Sequence, residues 1–153
     1  MKIKNVTVGA DPELFIFNTK TNQVVSAIGI IPGEKGKPYT KGMPKGFGVE
    51  IDCILGEFNI PPCTSGNEFV DSIKYMKDWI RNWIKQFDNN LDICCSASMP
   101  VSEDQLLDPK ANEIGCSSDY NAYTERENDK PQGYPDNRRV AGQMWARRYS
   151  NIS

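Results

Sequence analysis

The chain has no histidine in 153 residues. Without an imidazole there is no Ser-His-Asp triad and no Cys-His pair, since both need a base that accepts a proton near pH 7. A Cys/His zinc site is excluded for the same reason. An all-cysteine site is disfavoured by spacing, because Cys53, Cys63, Cys94, Cys95 and Cys116 include no Cys-x-x-Cys unit. An odd number of cysteines fits reduced, mostly buried thiols better than a disulfide framework. An excess of one charge is also missing: 18 basic and 20 acidic residues leave a net charge of −2. Such a balance offers no general attraction to nucleic acid or to an anionic membrane. No run is long and apolar enough to span a bilayer. Residues 1–8 are polar at every other position, lack a signal-peptide core and read as a strand. A cytoplasmic protein is therefore expected, whose chemistry must rest on carboxylates, Lys, Arg, Tyr or a metal.

Carboxylates are what the sequence places with purpose. Gly9-Ala10-Asp11-Pro12-Glu13 runs directly into the apolar Leu14-Phe15-Ile16-Phe17. Side chains alternate along a strand, so Asp11 and Glu13 point the same way. Like charges on one face repel unless a cation or a proton lies between them. A second acidic pair, Asp52 and Glu57, lies in another apolar segment, residues 49–60. Two such segments converging on one surface would form an all-oxygen site, which suits magnesium or manganese. Taken alone, Asp11 beside Pro12 is better explained as a turn former and a single strand Glu as a solvated one; the repetition of acidic residues in two separate apolar segments is what favours a site.

At this length the chain fits one domain with a core. Residues 6–31 read as a hairpin turning at 18–22. Residues 32–48 are rich in Gly, Pro and Lys and read as a mobile loop. Its Gly33-Glu34-Lys35-Gly36-Lys37-Pro38 is not a Walker A sequence, because Pro38 replaces the hydroxyl residue. Ser65 with Glu68 forms a capping box ahead of apolar positions 69, 73, 76, 80, 84 and 87, which trace one face of a helix. Trp79 and Trp83 widen that stripe. Residues 91–97 read as a further strand, 104–112 as a short helix or link, and 124–137 as loop. Strands with one long amphipathic helix imply an α+β domain: a largely antiparallel sheet, the helix on one face and functional groups on the other.

Five segments in register carry a resemblance: Gly9-Ala10-Asp11-Pro12-Glu13-Leu14-Phe15; Lys35 and Pro38; Asp52 followed by Glu57-Phe58-Asn59-Ile60-Pro61-Pro62; Gly115-Cys116-Ser117-Ser118-Asp119-Tyr120-Asn121-Ala122; and Arg139-Val140-Ala141-Gly142. Their order and spacing resembles the phage-encoded carboxylate–amine ligase family, type 2, of the glutamine-synthetase-like superfamily, over residues 5–142. The resemblance implies a glutamine-synthetase-like half-barrel and an enzyme that uses ATP and Mg2+ (or Mn2+). Such enzymes convert a carboxylate to an acyl phosphate that an amine then attacks. It further implies Glu13 and Glu57 as metal ligands, and Asp11 and Asp52 as ligands or their partners. Arg139 would stabilise the transferred phosphoryl group and also contact nucleotide, Lys35 would contact phosphate, and Asp119 and Tyr120 would line the acceptor side. Substrates would be small-molecule or peptide carboxylates and amines, and the location would be the host cell cytosol.

After Gly142 the pattern departs. The family continues with a second glycine and a His-x-His strand, whereas Gln143-Met144-Trp145-Ala146 stands here. Residues 1–142 therefore read as the N-terminal part of the ligase domain and 143–153 as an atypical basic and aromatic tail. A second chain or a homo-oligomer would complete the site. Two function classes follow: a ligase, or half of one, and a catalytically dead phage-derived domain acting as a protein-binding module. Trp145, Arg147, Arg148 and Tyr149 would be the binding patch of the latter.

Overall fold

The computed structural model describes residues 6–112 together with 120–121 and 126–127. It is an α+β arrangement. Five strands form one antiparallel sheet: β1 (Glu13–Asn18), β2 (Gln23–Val25), β3 (Gly48–Asp52), β4 (Leu55–Asn59) and β5 (Leu91–Cys94). The path runs β2-β1-β4-β3, and β5 also pairs with β1. One α-helix is found among the described residues, α1 (Gly66–Ile84), between β4 and β5 in sequence. Two 3-10 turns, Glu103–Leu106 and Pro109–Asn112, follow, and β6 (Tyr120–Asn121) pairs with β7 (Arg126–Glu127).

Alternation along the strands divides the apolar side chains between two clusters. Leu14, Ile16, Val49, Ile51 and Phe58 pack with Met76, Ile80 and Ile84 of α1 and with Leu91 and Ile93 of β5. Phe15, Val24, Ile54 and Leu55 pack with Val101 and Ala111. Each fully buried side chain of this kind contributes roughly 2 kcal/mol, so the helix-covered side carries most of the core. The other side is left to polar residues wherever the second cluster does not reach. Arg81 Nε donates to Asp92 Oδ1 at 3.0 Å, and Trp83 Nε1 donates to the Ile30 carbonyl at 2.8 Å, fixing the helix to β5 and to the segment after β2.

Several local expectations need correction. The hairpin expected within residues 6–31 is present, with β1 and β2 pairing antiparallel from Asn18 opposite Gln23, but its strands are shorter than expected: β1 begins at Glu13, β2 ends at Val25, and residues 26–31 turn, with Ile30 and Ile31 N–H groups both bonded to the Ala27 carbonyl. Val8 makes only an isolated bridge to Cys63. The apolar segment 49–60 is two strands, not one. They form a tight hairpin in which Asp52 faces Leu55 and Cys53 takes a left-handed φ of 53°. Nothing in the turn code announces this, because Cys-Ile is not a favoured hairpin pair. At the start of α1, Ser65 Oγ accepts from the Glu68 N–H at 3.2 Å, but Glu68 returns its main bonds to Thr64, from N–H at 2.7 Å and from Oγ1 at 3.0 Å. Ser65 is the N-cap as expected, and only the reciprocal contact differs, the Glu68 carboxylate accepting from Thr64. Phe87, expected on the helix stripe, lies beyond the helix and is exposed.

Candidate metal centre

Register brings the carboxylates together. Glu13 of β1 pairs directly with Glu57 of β4, and Glu57 pairs directly with Glu50 of β3. Directly paired residues in an antiparallel sheet project to the same side, so these three carboxylates form a row across three strands. Asp52 lies two residues from Glu50 and therefore joins that side. The same side carries Phe15 and Leu55 of the second apolar cluster and is opposite the helix. Carboxylate oxygens of Glu13, Asp52 and Glu57 lie within 4.8 Å of one another. Glu50 and Glu57 are buried, each 5% exposed, whereas Glu13 sits at the exposed rim.

Lys35 occupies the middle of this group. Its Nζ donates to Glu57 Oε2 at 2.5 Å and to Asp52 Oδ2 at 2.8 Å, and lies 3.9 Å from Glu50 Oε1. The loop that supplies it is pinned, not loose. Glu34 and Lys37 exchange backbone hydrogen bonds, which leaves Lys35 and Gly36 at the tip of a tight turn. Tyr39 then exchanges two backbone bonds with Val49 of β3 at 2.8 and 3.1 Å. The Tyr39 ring packs on the stacked pair Trp79 and Trp83, with centroids 6.1 and 5.6 Å away. Gly33, at φ 92°, lets the loop pass against β3: a Cβ there would meet the Val49 carbonyl oxygen at 2.4 Å.

The electrostatics follow from this crowding. Burial would push the Lys35 ammonium down, but its hydrogen bonds to Asp52 and Glu57 outweigh that and raise it, so it stays charged. Desolvation, followed by repulsion from Asp52 and Glu57, lifts the Glu13 carboxyl from 4.5 to about 7. Desolvation also raises Glu57, against the pull of Lys35. Burial beside Asp52 pushes the Cys53 thiol up to about 12, which keeps it protonated and a poor nucleophile.

For Glu13, a folded value above the unfolded one gives a contribution that is fully present below pH 4.5 and is lost as pH rises through about 7. The melting temperature of the wild type is expected to decline over that window. Glu13→Gln, which cannot ionise, is expected to flatten the decline. An unchanged slope in the variant would place the titrating group elsewhere.

The expected site residues divide clearly. Glu13, Asp52, Glu57 and Lys35 meet. Asp11 is exposed in the segment leading to β1, near enough to repel charge on Glu13 but not a member of the cluster. Arg139 and Asp119 lie outside the described residues, as do the Tyr120 side chain and residues 143–153. Sequence reasoning missed Glu50, although Glu50-Ile51-Asp52 has the same i, i+2 spacing as Asp11 and Glu13. Comparison with protein-family models, with curated proteins and with solved structures finds no match to this chain. Among the described residues no helix is long and apolar enough to cross a membrane.

Proposed function

We propose that the acidic row binds a divalent cation, Mg2+ or Mn2+, and that the chain is the N-terminal part of a glutamine-synthetase-like ligase joining a carboxylate to an amine at the expense of ATP. The observation that carries the proposal is the convergence of Glu13, Asp52 and Glu57, from β1 and from both arms of the β3–β4 hairpin, to within 4.8 Å. Hard oxygen donors on strands are the donor set magnesium selects. The orphaned Glu50 Oε2, buried and without a hydrogen-bond partner among the described residues, fits a site built for more positive charge than one ammonium supplies.

In this reading the antiparallel sheet is the incomplete half-barrel and α1 is its amphipathic scaffold. Glu13, Asp52 and Glu57 would hold the metal, with Asp11 as an outer partner. Bound magnesium supplies neutralisation of the phosphate charge of ATP. Lys35 contributes a point charge to phosphate, and Arg139 a bidentate donor for the transferred phosphoryl group. The substrates are a small-molecule or peptide carboxylate and an amine, in the cytosol.

Calorimetric titration with a non-hydrolysable ATP analogue tests this. Micromolar binding that requires Mg2+ is expected. Binding that is equal with and without Mg2+, or absent in both, would overturn the ligase reading and favour a protein-binding module.

A further inference from the structure

Resting on the metal-site reading, we infer that Lys35 is a built-in counter-ion which a divalent cation displaces from between Asp52, Glu57 and Glu50, Glu50 then serving as an additional ligand. Three observations carry this. The ammonium sits between the carboxylates that converge, at 2.8 Å from Asp52 and 2.5 Å from Glu57. A cation held by those oxygens would occupy the same place, so the two are mutually exclusive. Second, the lysine leaves the row under-neutralised: Glu50 is 5% exposed, its Oε1 is 3.9 Å from Nζ, and its Oε2 has no partner among the described residues. A buried carboxylate oxygen left without a donor is rare and points to a group that completes it. Third, Lys35 can leave without unfolding anything. It stands at the tip of the Glu34–Lys37 turn beside Gly36, where a Cβ would touch nothing, and its side chain is 31% exposed.

The exchange is cation for cation, with no proton or bond transferred. It explains why a loop lysine and a metal site share one place. Before metal arrives, Lys35 keeps the carboxylates assembled. Afterwards, its ammonium is released at the mouth of the site, where it can meet an anionic group bound to the metal.

The test uses Mn2+ alone and two readouts. In the wild type, the rate at which an amine-acylating reagent modifies Lys35 is followed by mass spectrometry relative to Lys37 on the same turn. Saturating Mn2+ is expected to raise that ratio several-fold; an unchanged ratio while Mn2+ is bound would overturn the inference and leave the metal site standing. In the second readout, Lys35→Met is expected to bind Mn2+ at least tenfold more tightly than the wild type, and Glu50→Gln more weakly. Equal or weaker binding by Lys35→Met would refute displacement. Unaltered binding by Glu50→Gln would refute its role as a ligand. If neither the wild type nor Lys35→Met binds Mn2+, the metal reading itself falls.

Discussion

Gly33→Ala is expected to destabilise the protein by about 4 kcal/mol, combining the strain of a left-handed backbone with overpacking against β3. The added Cβ would lie 2.4 Å from the Val49 carbonyl oxygen, 2.9 Å from the Tyr39 N and 3.2 Å from Glu50 Cα, all backbone atoms that cannot swing aside. Relief requires the loop to lift from β3. That motion breaks the Tyr39–Val49 bonds and withdraws Lys35 from the carboxylates. Gly36→Ala is the matched control: its φ is also positive, at 74°, but its surroundings are open, so a loss of about 1 kcal/mol is expected. Chemical denaturation of both variants measures the difference. Equal losses would mean that the loop does not press on β3 as described.

Lys35→Met, in the absence of metal, is expected to lose about 2–3 kcal/mol near neutral pH. Removing one member of a buried ion pair leaves the other charge uncompensated, and the partial exposure of Lys35 sets the lower end of that range. Protons can replace the missing cation, so the deficit narrows as pH falls and Glu57 and Glu13, both raised above the usual carboxylate range, take up protons. Thermal melts of wild type and variant between pH 5 and pH 8 check both the size and the pH trend. A deficit that widens on acidification would contradict the assignment of Lys35 as the counter-ion of the row.

How far the site could be read beforehand depends on strand parity. Asp11 and Glu13 share a face by simple alternation, and Glu13 does reach the cluster. Asp52 and Glu57 are a harder case. Five residues apart in one continuous strand, they would point to opposite faces. They converge only because the chain reverses at Cys53 and Ile54, pairing Asp52 with Leu55 and Glu50 with Glu57. That reversal lacks Asn-Gly or any comparable signal and is held by the packing of Ile54 and Leu55 with Phe15 and Val24. Once the hairpin is known, Glu50 follows at once. Lys35 is legible as a candidate, but its seat between Asp52 and Glu57 is hidden for a related reason. A Gly- and Lys-rich stretch reads as solvated chain, yet long-range bonds from Tyr39 to Val49, a close approach at Gly33 and an aromatic pack on Trp79 and Trp83 hold it down. None of those contacts is local. The helix was legible because its signals are local: a Ser65 cap and apolar residues at 76, 80 and 84, all three of which are buried.

The most direct test of the central claim is an Mn2+ titration of the wild type and of Glu57→Gln, with free Mn2+ followed by electron paramagnetic resonance and folding by far-UV circular dichroism. Glu57 is the middle carboxylate of the row, paired with both Glu13 and Glu50. One Mn2+ is expected to bind per wild-type chain, with binding weakened by about tenfold or more in a variant that stays folded. No Mn2+ binding by the wild type, or equal binding by the two proteins, would contradict the claim.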